Sequence, residues 1–292
     1  MGNRKWIAGI VTAVLMGMAA GCSSRPAVEE SVQTSVERTE APSTEAEIVK
    51  PTAPSPSEIE PFPGAEKETK AEPLEGGKRI VVMTDIHYLA ESLTDGGDMF
   101  QSMVEHGDGK LTNYVREITD AAFEEIQLLN PDVLIISGDL SLQGEKRSHE
   151  ELAGRLDALE RAGIAVVVIP GNHDINNPSA AVYSGMDRYP AEPTTPADFV
   201  SIYSEFGYSE ANSRDIHSLS YTYDLGPSMR LLMLDTCQYE PRNRVGGMIK
   251  TETYEWIDKE LKAADEDGVI LLPVAHHNLL EESKVYVDDC TI

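Results

Sequence analysis

From residue 79 onward, short apolar runs alternate with longer stretches in which apolar positions recur every three or four residues. Residues 79–84, 132–136 and 164–169 are rich in Val and Ile and nearly free of charge inside, so each predicts a strand. Between the first two, residues 111–130 place Val115, Ile118, Ala122, Ile126 and Leu129 on one helical face, and Asn130-Pro131 stops the helix. Residues 145–162 carry Leu152, Leu156 and Leu159 along one stripe, and Gly163 ends them. Strand, helix, strand, helix, strand with continuously apolar strands predicts parallel pairing, buried on both faces, with right-handed crossovers.

The pattern changes after Asn177. Residues 178–215 are rich in Tyr, Pro and Ser, with a short helix expected at 197–206. Residues 218–224 and 229–234 predict two paired strands joined through Gly226-Pro227. A helix is expected at 252–264, with Trp256 and Leu261 in the core, and a last strand at 269–275. There Pro273 disfavours a deeply hydrogen-bonded central position, so local irregularity is expected.

Neither period is present before residue 78. Arg4 and Lys5, the apolar stretch from Trp6 to Met16 and the small residues after it read as an export signal over residues 1–21. The run Met18-Ala-Ala-Gly-Cys22 resembles the lipobox of bacterial lipoproteins, with Ala19 in place of the usual leucine. Cys22 is then the lipidated amino terminus; an ordinary signal peptide or a membrane helix is the alternative, although the stretch is short for a span of ~20 residues. Residues 22–77 are rich in Pro, Glu, Ser and Thr and cannot bury enough apolar area to offset chain entropy, so a flexible tether is expected. That leaves residues 78–292 as one folded domain, outside the cytoplasm and anchored to the cell membrane through lipid only.

The net charge of −26 argues against binding to a nucleic-acid backbone, which needs a basic surface. It does not exclude a phosphate substrate, because bound metal ions reverse the local sign. Beyond Cys22, Cys237 and Cys290 remain; Cys237 ends an apolar strand and is expected as a buried free thiol.

Four polar clusters each follow an apolar run: Asp85-Ile86-His87, Gly138-Asp139, Gly171-Asn172-His173-Asp174 and His276-His277-Asn278. Polar residues at the carboxyl edges of strands sit where open α/β sheets bind ligands. In the first cluster the two side chains are two apart, so an extended backbone turns them to one side, ready to share a divalent ion; a capped strand end is the alternative. Asp139 is a turn cap or a carboxylate whose two oxygens bridge two ions. In the third cluster Asn172 offers a neutral oxygen to a metal, His173 can face a substrate, and Asp174 can hold the other ring nitrogen of His173; a plain turn would also favour Gly, Asn and Asp. Oxygen and nitrogen donors from four strand ends point to a metal site. There is no nucleophilic serine elbow, no Gly-x-x-x-x-Gly-Lys phosphate loop and no His-Glu-x-x-His helix.

In this order the clusters resemble the calcineurin-like metallophosphoesterases, from Arg79 to the end of the chain. The resemblance implies an α/β fold, a four-layer α-β-β-α sandwich of two mixed sheets flanked by helices. It implies two divalent ions (Mn, Fe or Zn), with Asp85 and His87 on the first, Asp139 bridging, and Asn172 and His276 on the second. His276 is preferred to His277 because the family's ligand is the first residue of a His-x-Pro-like run, and Asn278 takes the Pro position. His173 would contact substrate and assist the leaving group, with Asp174 behind it. The family's closing Gly-His-x-His is not present in the 292 residues, so an incomplete domain with little activity of its own is expected. The implied function is hydrolysis of a phosphomonoester or phosphodiester, of a small molecule or nucleotide, by a two-metal-activated water. The alternative is an inactive tethered binding or structural protein that keeps the fold. Residues 88–110 and 178–215 are expected to set the pocket's selectivity.

Overall fold

The structure is a computed structural model and describes residues 70–107 and 109–279. The export signal, Cys22, the tether up to residue 69 and Cys290 lie outside them. β1 (Ile80–Met83) leads through α1 (Asp98–His106) and α2 (Val115–Leu129) to β2 (Val133–Ser137), and α3 (Lys146–Arg161) carries the chain to β3 (Ala165–Ile169). A hairpin of β4 (Ala181–Ser184) and β5 (Asp187–Pro190) and the short helix α4 (Pro196–Ile202) follow. Then come β6 (Ser213–Arg214), β7 (Tyr221–Asp224), β8 (Met229–Leu234), α5 (Thr251–Asp267) and β9 (Ile270–Ala275).

β1, β2 and β3 form a parallel sheet in that order, with Val81 opposite Leu134 and Leu134 opposite Val166. Because the strands advance in one direction, right-handed crossovers put α2 and α3 on the same face. Leu152, Leu156 and Leu159, all fully buried, and Phe123 and Ile126 pack there. Truncating Leu156 to Ala would cost about 2–5 kcal/mol. The other face meets the second sheet, where the Tyr221 hydroxyl donates to the Val168 carbonyl at 2.9 Å and the Cys237 thiol to that of Pro170 at 3.2 Å. Cys237 is buried and free, as its strand-end position implied.

The second sheet, in the order β6-β7-β8-β9, mixes antiparallel pairs with one parallel pair, β8 with β9. Leu231 and Met233 join the central core, while Leu232 and Leu234 on the opposite face pack against Trp256 of α5. The molecule is thus α/β, with helices flanking both sheets.

Several expectations shift. Leu261 is half exposed rather than core, because the buried stripe of α5 runs through Thr253, Trp256, Glu260 and Ala264. β9 runs in unbroken register past Pro273, which lies opposite Leu232. Proline is tolerated there because, among the described residues, β8 is the strand's only neighbour. Contacts also begin before residue 78: Ala71 N–H donates to Leu128 O at 2.7 Å, and Arg79 donates to Glu72 O at 3.0 Å.

Candidate metal centre

The hydrogen-bond ladder of β1 and β2 continues past the strand ends. Asp85 N–H donates to Gly138 O at 3.0 Å, His87 N–H to Asp139 O at 2.9 Å, and Tyr88 N–H to Leu140 O at 2.9 Å. This lays the first cluster alongside the second. Asp85, His87 and Asp139 take φ of 55°, 49° and 49°, a left-handed region that non-glycine residues seldom occupy and that costs of order 1–3 kcal/mol each. Gly138 is at φ 103°, and a Cβ there would fall 2.6 Å from Nδ1 of His276. A Cβ on Gly171 would overlap the Asp139 carboxylate. Both glycines let two loops close on one centre.

Asp139 is that centre and is 3% exposed. Nε2 of His87 lies 3.7 Å from its Oδ2 and 3.6 Å from Asp85 Oδ1, and Nε2 of His173 lies 3.9 Å from the same Oδ2. Nε2 of His276 sits 3.6 Å from the other oxygen, Oδ1, and 3.1 Å from Asn172 Oδ1. Two groups result, His87-Asp139-His173 and Asp85-Asp139-His276, each with three ligand atoms within 4.8 Å of one another and Asp139 in common. All five residues expected as ligands are therefore brought together. The grouping differs from the expected one, since Asp85 clusters with His276 and His173 with His87.

The donor set fits divalent cations. Both ring nitrogens of His87, a residue 5% exposed, lack a hydrogen-bond partner among the described residues. Such orphaned polar atoms are costly, and a cation between Nε2 and the two carboxylates would satisfy one of them. His276 donates from Nδ1 to Ser137 O at 2.9 Å, which aims its Nε2 lone pair at the cluster. Imidazole, carboxylate and amide oxygen together suit Mn, Fe or Zn.

Electrostatics agree. Burial pushes Asp85 up, but the His87 ring 3.6 Å away, the charge of His276 and the Thr84 hydroxyl overcome it and hold the carboxyl at about 2. Burial pushes His276 down, and the Asp139 and Asp85 carboxylates outweigh it and raise the ring. His277 is lowered to about 4, first by burial and then by the charge of His276. Its Nδ1 accepts from Thr236 Oγ1 at 2.7 Å and its Nε2 donates to Val245 O at 2.8 Å, so both of its nitrogens are occupied within the scaffold.

The expected contact between Asp174 and His173 is absent. His173 donates from Nδ1 to Leu142 O at 2.8 Å instead. The fully buried Asp174 carboxylate accepts from Leu140 N–H at 3.1 Å, Ser141 N–H at 2.9 Å, the Ser141 hydroxyl at 2.9 Å and Gly171 N–H at 2.8 Å. It clamps the loop that bears Asp139 to the loop that bears Asn172. His149, a residue the sequence offers as a stand-in ligand, is instead a support: wholly buried on α3, it donates to Asp174 O at 3.2 Å and accepts from the Tyr203 hydroxyl at 2.9 Å. Sequence reasoning missed Asn243, whose amide donates to Asn172 O at 2.7 Å and Ile175 O at 3.0 Å. No pattern marks Asn243, which lies in a loop; His149 sits at position 149, between the helical leucines and α3's start, and its polarity on a buried face was a usable signal.

Fold and donor set together define a metallophosphoesterase-type hydrolase with two candidate metal clusters. Residues 78–291 match the family described as calcineurin-like phosphoesterase, and the chain belongs to that family. It is 24% identical over 180 residues to a probable cyclic nucleotide phosphodiesterase of Moraxella catarrhalis, covering 62% of this chain and 55% of that protein. It is 27% identical over 157 residues to a probable cyclic nucleotide phosphodiesterase of Synechococcus sp., covering 54% and 46%. The matched part thus spans about half the length of these relatives. A dimetal phosphatase from Danio rerio superposes with a TM-score of 0.41 at 13% identity, over 68% of this chain and 69% of that one.

Proposed function

We propose that the protein hydrolyses phosphate esters with two divalent cations held at Asp139. The observation that carries this reading is the division of one buried carboxylate between two ligand groups. His87 would serve the position at Oδ2 of Asp139, and His276 with Asn172 the one at Oδ1. Asp85, grouped with His276 and 3.6 Å from His87 Nε2, is within reach of either. When bound, the cations supply Lewis acidity toward phosphoryl oxygens and lower the pKa of a water.

His173 acts on the substrate side. Its side chain is 22% exposed, against 6% for His87 and 9% for His276. With Nδ1–H committed to Leu142 O, the neutral ring presents a lone pair at Nε2. Burial, the largest influence on this ring, lowers its pKa and favours that neutral form. A phosphate anion beside it opposes burial, so that Nε2 takes up a proton and can pass it to the leaving oxygen. Asp174 touches no substrate and holds the two loops in register, and the Asn243 amide steadies the turn that bears Asn172.

The names of the two relatives make a cyclic nucleotide the first diester to try. Export and a lipid on Cys22 belong to the same proposal, supported by Arg4, Lys5, the apolar stretch and the small residues before the cysteine. The mass of membrane-extracted protein checks this: a diacylated Cys22 amino terminus is expected, and a mature chain that keeps Met1 overturns it. For activity, the full-length gene product is assayed with Mn²⁺ on chromogenic phosphate mono- and diesters. Mn²⁺-dependent turnover that falls to background in Asp139→Asn is expected; turnover that survives the substitution overturns the proposal.

A further inference from the structure

A cleft of about 880 Å³ borders the segment that follows Asn172 and His173, with Asn176 and Pro178 in its wall. Its walls include Asn176, Pro178, Tyr239, Pro241, Arg242 and Asn243, so it falls mostly outside the two segments expected to set selectivity. Asn243 ties it to the metal centre through its hydrogen bonds to Asn172 O and Ile175 O, and Asn176 belongs to the same turn.

The chemistry of the walls is selective. Asn176 donates its amide to Tyr239 O at 3.3 Å, and Asn243 spends its own on two carbonyls. Carbonyl partners fix which amide atom is nitrogen, so both side-chain oxygens are left to accept from a ligand. Hydroxyl and amino groups supply such donors. The Arg242 guanidinium is exposed and has no hydrogen-bond or ion-pair partner among the described residues. Its planar cation can stack on a planar ring, and Pro178 and Pro241 add apolar wall to the same cleft. Lys250 also lines the cleft, but its ammonium already donates to His217 O at 2.6 Å and lies 5.7 Å from the Tyr239 ring centre. Glu240 offsets Arg242, so the cleft does not favour a second phosphate.

We infer that this cleft binds the neutral nucleoside part of the ester, with Asn176 and Asn243 accepting from its hydroxyl or amino groups and Arg242 stacking on its base. The inference rests on the phosphoesterase reading for its purpose but not for its test. Calorimetric titration of the full chain with adenosine and with methyl riboside measures the cleft without any turnover. Adenosine binds, methyl riboside binds at least tenfold more weakly, and Asn176→Ala and Arg242→Ala each weaken adenosine about five- to tenfold. Adenosine that fails to bind, that binds the variants as tightly, or that is matched by methyl riboside overturns the inference. In the hydrolysis assay both variants keep wild-type turnover of a chromogenic diester while kcat/KM for a nucleotide ester falls about five- to tenfold; equal losses on both substrates also overturn it. Absence of all hydrolysis defeats the phosphoesterase reading instead and leaves the adenosine titration to decide the cleft.

Discussion

Replacing Asp174 by Asn separates a clamp from a catalytic partner. The carboxylate is fully buried and accepts three backbone N–H groups and one hydroxyl, with Leu140 and Gly171 on Oδ2 and Ser141 on Oδ1. An amide keeps one acceptor oxygen. In its better orientation that oxygen retains Leu140 and Gly171, the Ser141 hydroxyl rotates to accept, and Ser141 N–H faces an NH₂ group. One orphaned buried N–H costs about 1–3 kcal/mol, and two remaining bonds lose their charge assistance at about 1 kcal/mol each. The sum is about 3–5 kcal/mol, a large part of the 5–15 kcal/mol typical of a domain. Urea unfolding of metal-free protein, followed by circular dichroism, measures it. A lower midpoint at unchanged slope is expected, together with weaker Mn²⁺ binding, since the loops of Asp139 and Asn172 lose their tie. A loss below about 1 kcal/mol with turnover sharply reduced would refute the clamp. It would return Asp174 to the role of orienting His173.

Two further substitutions address individual side chains. His173→Ala should leave Mn²⁺ content nearly intact while lowering turnover of the full-length gene product about 10²–10⁴-fold, as expected for loss of a general acid; metal lost together with activity would make His173 a ligand. Glu145, fully buried and with one carboxylate oxygen unpartnered, is raised by burial from 4.5 to about 7. A raised folded pKa means that its stabilisation is complete below about pH 4.5 and is lost as pH rises through about 7, a change of about 3 kcal/mol. Glu145→Gln should flatten that part of the stability profile of metal-free protein, and a profile as steep as that of wild type would show that another group governs it.

The candidate site was more legible than its supports. Asp85, His87, Asp139, Asn172 and His276 follow apolar strands, and parallel strand ends must lie side by side, so type and position together announced a shared centre. The layered core was legible for the same reason, since Val133 to Ser137 could only be a strand covered on both faces. Asp174 was misread because adjacency in sequence is not adjacency of side chains in a turn: His173 reaches Leu142 while Asp174 turns beneath the loops. α1 and the β4–β5 hairpin went unseen because they are short: α1 has nine residues and buries only Phe100, and every residue of β5 is exposed. The stripe of α5 passes through Glu260, which no hydrophobic pattern would place inside, and Leu261 was taken in its stead.

Equilibrium Mn²⁺ binding by wild type, Asp85→Asn, Asn172→Ala and Asp139→Asn tests the shared centre most directly. Asp139 alone belongs to both ligand groups, so its loss should remove more bound metal than either of the others, while all four proteins keep their circular dichroism spectra. Binding by Asp139→Asn equal to that of wild type, or no weaker than that of Asp85→Asn, would contradict a dimetal site built on that carboxylate.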